Sequence, residues 1–202
     1  MTSDKNDNIK FTTRYSDIPD VFFSSHTNSP IEHCISCDRF LLEPGTAYII
    51  EKAVKHYTKL NTSDTIFEYA MCIECYKMIH QRFSNESLER IQLFFREHVD
   101  FQKRRSDLLR RETLNINDWI SSCIVHGTRI HELEEYQIGG QFDGRSLIYH
   151  DLPYMVGLRA MDDVAQLLSN KTLDEMDGFY KKFLGPPPDI EEILDRHRFV
   201  LL

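Results

Sequence analysis

Two CxxC pairs, Cys34/Cys37 and Cys72/Cys75, limit what this chain can fold into more than any other feature of it. A tetrahedral Zn²⁺ takes about four soft ligands, and two short knuckles can bring them together. The interval between the pairs is 34 residues, longer than the roughly 15–20 of a compact zinc finger. The chain must therefore leave the first pair and return to it, which an antiparallel hairpin achieves.

Such a hairpin is readable between the pairs. From Ala47 to Tyr57 and from Thr65 to Met71 the residues are largely β-branched or aromatic, and the turn-rich Lys59-Leu60-Asn61-Thr62-Ser63-Asp64 separates them. Beyond Cys72-Ile73-Glu74-Cys75, the apolar Ile73, Tyr76, Ile79 and Phe83 recur at helical spacing, so the second pair opens a helix. A rubredoxin-like ribbon typically places Gly after each pair, where positive φ is needed. Here Asp38 and Tyr76 follow, and Tyr76 suits a helix better.

The order knuckle, hairpin, then CxxC on a first helical turn resembles the treble-clef zinc fingers over residues 31–83. That resemblance implies Cys34, Cys37, Cys72 and Cys75 as the four ligands of one structural zinc. The last two would lie at a helix N-terminus whose dipole favours thiolate charge. Four thiolates leave no coordination position for water, so no catalytic residue is assigned around such an ion. Iron fits the same all-thiolate cage. A disulfide-exchange enzyme needs only one CxxC, in a thioredoxin-like context that this chain does not show.

The remainder reads as an α+β protein. Residues 1–30, rich in Asn, Asp, Ser and Thr, read as a loosely ordered arm that docks through Phe22-Phe23. After the zinc module of residues 31–83, Ser84-Asn85-Glu86 starts a connecting helix over 84–111 with Leu88, Ile91, Phe95 and Val99 as its stripe. Residues 112–202 form a small α+β region. It holds a short helix at Asp118-Trp119-Ile120 ended by Gly127, and a hairpin around Phe142-Asp143-Gly144. A helix over Met161–Leu168 follows, then one from about Leu173 to Leu184 capped by Thr172 and Glu175, and a last one from Asp189. No internal repeat is visible.

Charge is uneven: the net charge is -1 over residues 1–30, +1 over 31–111 and -8 over 112–202. An acidic C-terminal region is a poor surface for phosphates, so the basic helix, with Lys103, Arg104, Arg105, Arg110 and Arg111, is the one candidate for nucleic acid. No run approaches the roughly 18 apolar residues of a membrane span, and the first residues lack the apolar core of a secretory signal, so a cytoplasmic location is expected.

Other residues invite chemistry with weaker patterns. His33 adjoins the first pair and could replace a thiolate or hydrogen-bond to one, although an ordinary loop histidine is the favoured reading. His56, Asn61 and His80 could serve an HNH-like metal-dependent nuclease, although no Asp-His pair marks the strand. Cys123 and His126 lie three apart, but the apolar Ile120…Ile124-Val125 setting reads as a core thiol. Asp162-Asp163 and Glu134-Glu135 suit a helix start and a solvated edge, and Gly139-Gly140 a turn or bulge. Tyr149, Tyr154, Met155, Phe179, Tyr180 and Phe183 read as core or as an aromatic interaction surface, to which Phe199-Val200-Leu201-Leu202 adds a terminal docking segment. The expected function is a zinc-binding, non-catalytic scaffold or interaction module with a protein partner. A nucleic-acid-binding regulator and then a nuclease follow as alternatives.

Overall fold

The computed structural model describes residues 14–57, 60, 62–111 and 114–185. Asn61, the helix expected from Asp189 and the terminal segment 199–202 lie outside them.

Mixed α+β architecture is what the chain forms, with an antiparallel sheet and six helices among the described residues. The strands are β1 (Arg14–Asp17), β2 (Ala47–Tyr57), β3 (Thr62–Cys72), β4 (Glu135–Asp143), β5 (Ser146–Tyr149) and β6 (Tyr154–Gly157). The helices are α1 (Ile73–His80), α2 (Asn85–His98), α3 (Phe101–Leu109), α4 (Ile116–Ile120), α5 (Leu158–Ala165) and α6 (Asn170–Phe183).

Strand order is β1-β5-β4-β2-β3, and β6 also pairs with β4, beside the stretch that β5 occupies. The β2–β3 hairpin forms as its β-rich sequence requires, with a register shift between Ala53 and Val54. β2 also pairs with β4 from Ala47↔Asp143 to Lys55↔Glu135, so the cysteine-bearing hairpin and the acidic C-terminal segment share one sheet and one core. Alternation against a buried face fixes this register, because a one-residue slip would turn Ile50, Ala70, Ile138 and Phe142 to the other face.

Several expectations change. Residues 14–30 are part of the fold rather than a loose arm: β1 pairs with β5, and fully buried Phe22 meets Phe142 edge-on at 5.2 Å. The connecting helix is two helices, because Val99 turns extended (φ -132°) and the Asp100 side chain accepts from Lys103 N–H to cap α3. α6 begins earlier than expected, with Ser169 as its cap, accepting from Thr172 N–H at 3.3 Å. Gly139-Gly140 lies inside β4. A Cβ at Gly140 would come within 2.9 Å of Phe22, so the missing side chain makes room for that ring.

Candidate metal centre

The first knuckle is a tight loop. Asp38 N–H donates to the Cys34 carbonyl at 2.9 Å, and Cys34 N–H to the Arg39 carbonyl at 2.9 Å. Closing it requires a left-handed residue after the pair, and Asp38 supplies it with φ 60°. Asp tolerates this region better than most side chains, which is why the absence of Gly misleads a reading based on Gly alone. Ile35 N–H donates to the Ala70 carbonyl at 2.9 Å and hangs the knuckle on the end of β3.

The second pair is placed by the strand-to-helix junction. Cys72 is the extended N-cap residue of α1, and Cys75 falls in the first turn. The return of β3 beside β2 brings this junction to the knuckle. Cys72 N–H points at Cys34 Sγ at 3.4 Å, and Cys37 Sγ lies 3.8 Å from Cys72 Sγ.

All four sulfurs lie within 4.8 Å of one another. Ligands about 2.3 Å from a central zinc stand about 3.8 Å apart in a tetrahedron, so the cluster has the size of such a cage. Cys34, Cys72 and Cys75 are buried and Cys37 is exposed, and none is in a disulfide. Burial would raise the Cys34 thiol, but backbone donors at Cys72, Cys37 and Ser36 bring it down to about 7. Burial pushes Cys72 and Cys75 upward. Without a cation, the cluster cannot hold the charge of four thiolates; with one, it can.

The other candidates fall elsewhere. His33 Nδ1 meets the Asp38 carbonyl at 2.9 Å, and its ring stacks edge-on with Phe40. His56 Nδ1 meets Ser63 Oγ at 2.9 Å; His80 lies against Tyr76 and Phe83, where burial lowers its pKa. Among the described residues, the four cysteines are the one group of three or more His, Cys, Asp or Glu side chains close enough to share an ion. His126 Nε2 meets Asp163 Oδ2 at 2.8 Å, and Cys123 is a core thiol. Glu135 pairs with Lys55 at 2.5 Å. Tyr149, Met155 and Phe179 are buried in the core.

Much of the basic segment is engaged within the fold. Arg104 donates to the carbonyls of Trp119 at 2.6 Å, Pro153 at 2.8 Å and Asp151 at 3.0 Å, and stacks over the Trp119 ring. Arg105 meets Asp151 at 3.3 Å and Arg111 meets Asp118 at 2.8 Å.

Sequence reading missed a buried polar group beside α1. Glu51, 3% exposed, accepts from the Tyr69 hydroxyl at 2.5 Å and from Gln137 Nε2 at 3.0 Å. Burial first, and then the charge of Glu51, raise the Tyr69 and Tyr154 phenols, which stay protonated. Glu51, Tyr76 and Tyr154 line a cleft of about 130 Å³ together with Ile73, the residue after Cys72. The one sequence signal was a lone Glu in an apolar strand.

Fold and site thus define a class: a mixed α+β protein with a four-cysteine cluster able to hold a metal ion. No protein-family model matches the chain, and no curated protein and no solved structure matches it. Among the described residues, no helix is long and apolar enough to cross a membrane.

Proposed function

We propose that Cys34, Cys37, Cys72 and Cys75 bind one structural Zn²⁺ in a treble-clef-like unit, and that the chain is a non-catalytic interaction or scaffold protein. The observation that carries this reading is the cage of four sulfurs within 4.8 Å, built from a knuckle and a helix start. All-thiolate coordination leaves no open position on the ion, so its work is to pin α1 to the knuckle.

A protein partner is favoured over nucleic acid. Arg104, Arg105 and Arg111 already hold carbonyls or carboxylates, whereas Phe40 and Met78, on the two elements that carry the cysteines, are 38% and 53% exposed. Partner binding should be tolerant of salt, and a steep fall of affinity with salt would favour the nucleic-acid alternative.

Elemental analysis tests the metal. The purified chain should carry one zinc, lost in a Cys34→Ser/Cys72→Ser variant. A metal-free protein of unchanged stability would contradict the proposal, and iron in place of zinc would keep the cage and change its ion.

A further inference from the structure

The C-terminal half repeats the order of the cysteine unit, with β4, β6, α5 and α6 standing for β2, β3, α1 and α2 and β5 inserted between its two strands. α1 spans Ile73–His80 and α5 spans Leu158–Ala165; α2 spans Asn85–His98 and α6 spans Asn170–Phe183. Both helices of the second pair have the lengths of the first and lie 85 positions further along the chain. β2 and β4 precede them as the first strand of each unit, and the two pair antiparallel, as a two-fold axis between the units demands.

The loop at Cys123 is the counterpart of the knuckle at Cys34. Gly127 N–H donates to the Cys123 carbonyl at 2.8 Å and Cys123 N–H to the Thr128 carbonyl at 2.8 Å, with Gly127 left-handed at φ 70°. Asp38 and Arg39 make the same bonds with Cys34 in the first unit. The isolated bridge His33↔Phe40 is matched by Ser122↔Arg129. Ile124 N–H donates to the Met155 carbonyl at 3.0 Å, as Ile35 does to Ala70. Gly127 was expected to end the helix at Ile120; instead it turns this loop.

Contacts between the units are reciprocal, which is the signature of a two-fold. Ser84 and Ser169, the caps of α2 and α6, touch through their hydroxyls at 2.8 Å. Ser84 N–H donates to Thr172 Oγ1 at 3.0 Å, and in exchange Ser169 N–H donates to Ser87 Oγ at 2.9 Å. Phe83-Ser84-Asn85-Glu86-Ser87-Leu88 and Leu168-Ser169-Asn170-Lys171-Thr172-Leu173 are the sequence trace. The offset is 89 at the knuckles and 85 at the helices, because four fewer residues separate Cys123 from Gly157 than Cys34 from Cys72, and this change of register hides the repeat from a fixed-period comparison.

We infer that residues 122–184 are a second copy of the unit in which the metal site has been dismantled. Gly157 and Ala160 stand where Cys72 and Cys75 stand, while Cys123 and His126 keep the spacing of the first pair. A hydrogen bond from His126 to Asp163 on α5 ties the loop to the helix, and Leu133 lies against Gly157, the counterpart of Cys72. A Cβ at Gly157 would come within 2.9 Å of the Leu133 side chain.

The repeat stands on backbone geometry; the lost metal rests on the zinc reading of the first unit, and the experiment separates the two. Co²⁺ bound per chain is measured for the full-length protein and for Leu133→Ala/Gly157→Cys/Ala160→Cys. The count in the unaltered protein tests the first site, and the increment tests the second. One additional equivalent is expected, with a spectrum showing nitrogen as well as sulfur ligation that is lost on adding His126→Ala. A folded variant with no increment overturns the inference. Should the triple variant not fold, Ala160→Cys alone leaves Leu133 in place and adds a third soft ligand near Cys123 and His126. It should still take up extra Co²⁺, weakly, and a folded protein with none overturns the inference equally.

Discussion

The knuckle at Cys34 and the loop at Cys123 share a backbone and differ in what fills it. Each closes through two hydrogen bonds of 2.8–2.9 Å around a left-handed residue and hangs on the strand that leads into a helix. In the first, four sulfurs stand between loop and helix; in the second, the His126–Asp163 pair joins them and Leu133 packs against Gly157. The turn itself therefore needs no metal. On the proposed zinc reading, the metal would supply the junction between loop and helix, which in the second unit an apolar side chain and one hydrogen bond supply instead.

Cys72→Ser separates the two units most sharply. It should release the metal and cost more than about 4 kcal/mol, the range that loss of a structural metal reaches, seen in denaturant unfolding together with metal analysis. Protection should fall across residues 31–83 first.

Glu68→Gln comes next and also acts on the first hairpin alone, since Pro153 holds the corresponding place in the second. Burial would raise the Glu68 carboxyl, but Lys52 at 3.0 Å and donors from Ser24 and Ser25 outweigh it and hold the group below its ordinary value of 4.5. Its contribution is present above that value and lost as pH falls through the lower folded value. The variant should be about 2 kcal/mol less stable at neutral pH. Its stability should also fall less steeply than that of the unaltered protein in acid, as measured by melts across pH.

Ser84→Ala and Ser169→Ala probe the axis, and each should cost about 1 kcal/mol as a lost helix cap. Because the two hydroxyls bond each other, the double variant should cost less than the sum of the singles in a double-mutant cycle; strict additivity would argue against a shared network. His126→Ala should be the mildest, below about 1 kcal/mol by thermal melting, because the pair is partly exposed and Leu133 remains.

Local signals were legible in the sequence and non-local ones were not. The doubled CxxC, the β-rich run to Tyr57 and the helical spacing after Cys72 each act over a few residues, and all three appear as read. The pairing of Arg14–Asp17 with β5 joins residues more than 100 positions apart, and its short polar strand shows nothing of its partner. Arg104 looked like a phosphate ligand because charge is visible and the carbonyls of Trp119 and Pro153 are not. The helix break at Asp100 had a signal, an Asp three residues before Lys103, that the continuing apolar stripe outweighed. Cys123 and His126 read as a core thiol beside an incidental histidine, since their meaning lies in a loop geometry shared with Cys34 and Cys37.

Hydrogen exchange of the full-length protein with and without a zinc chelator tests the two-way account most directly. The amides of Cys34 and Asp38 report the first knuckle, and those of Cys123 and Gly127 the second. Chelation should strip protection from the first pair and leave the second unchanged. Equal loss at both, or no loss at either, would contradict the claim that one unit is held by a metal and the other by its own side chains.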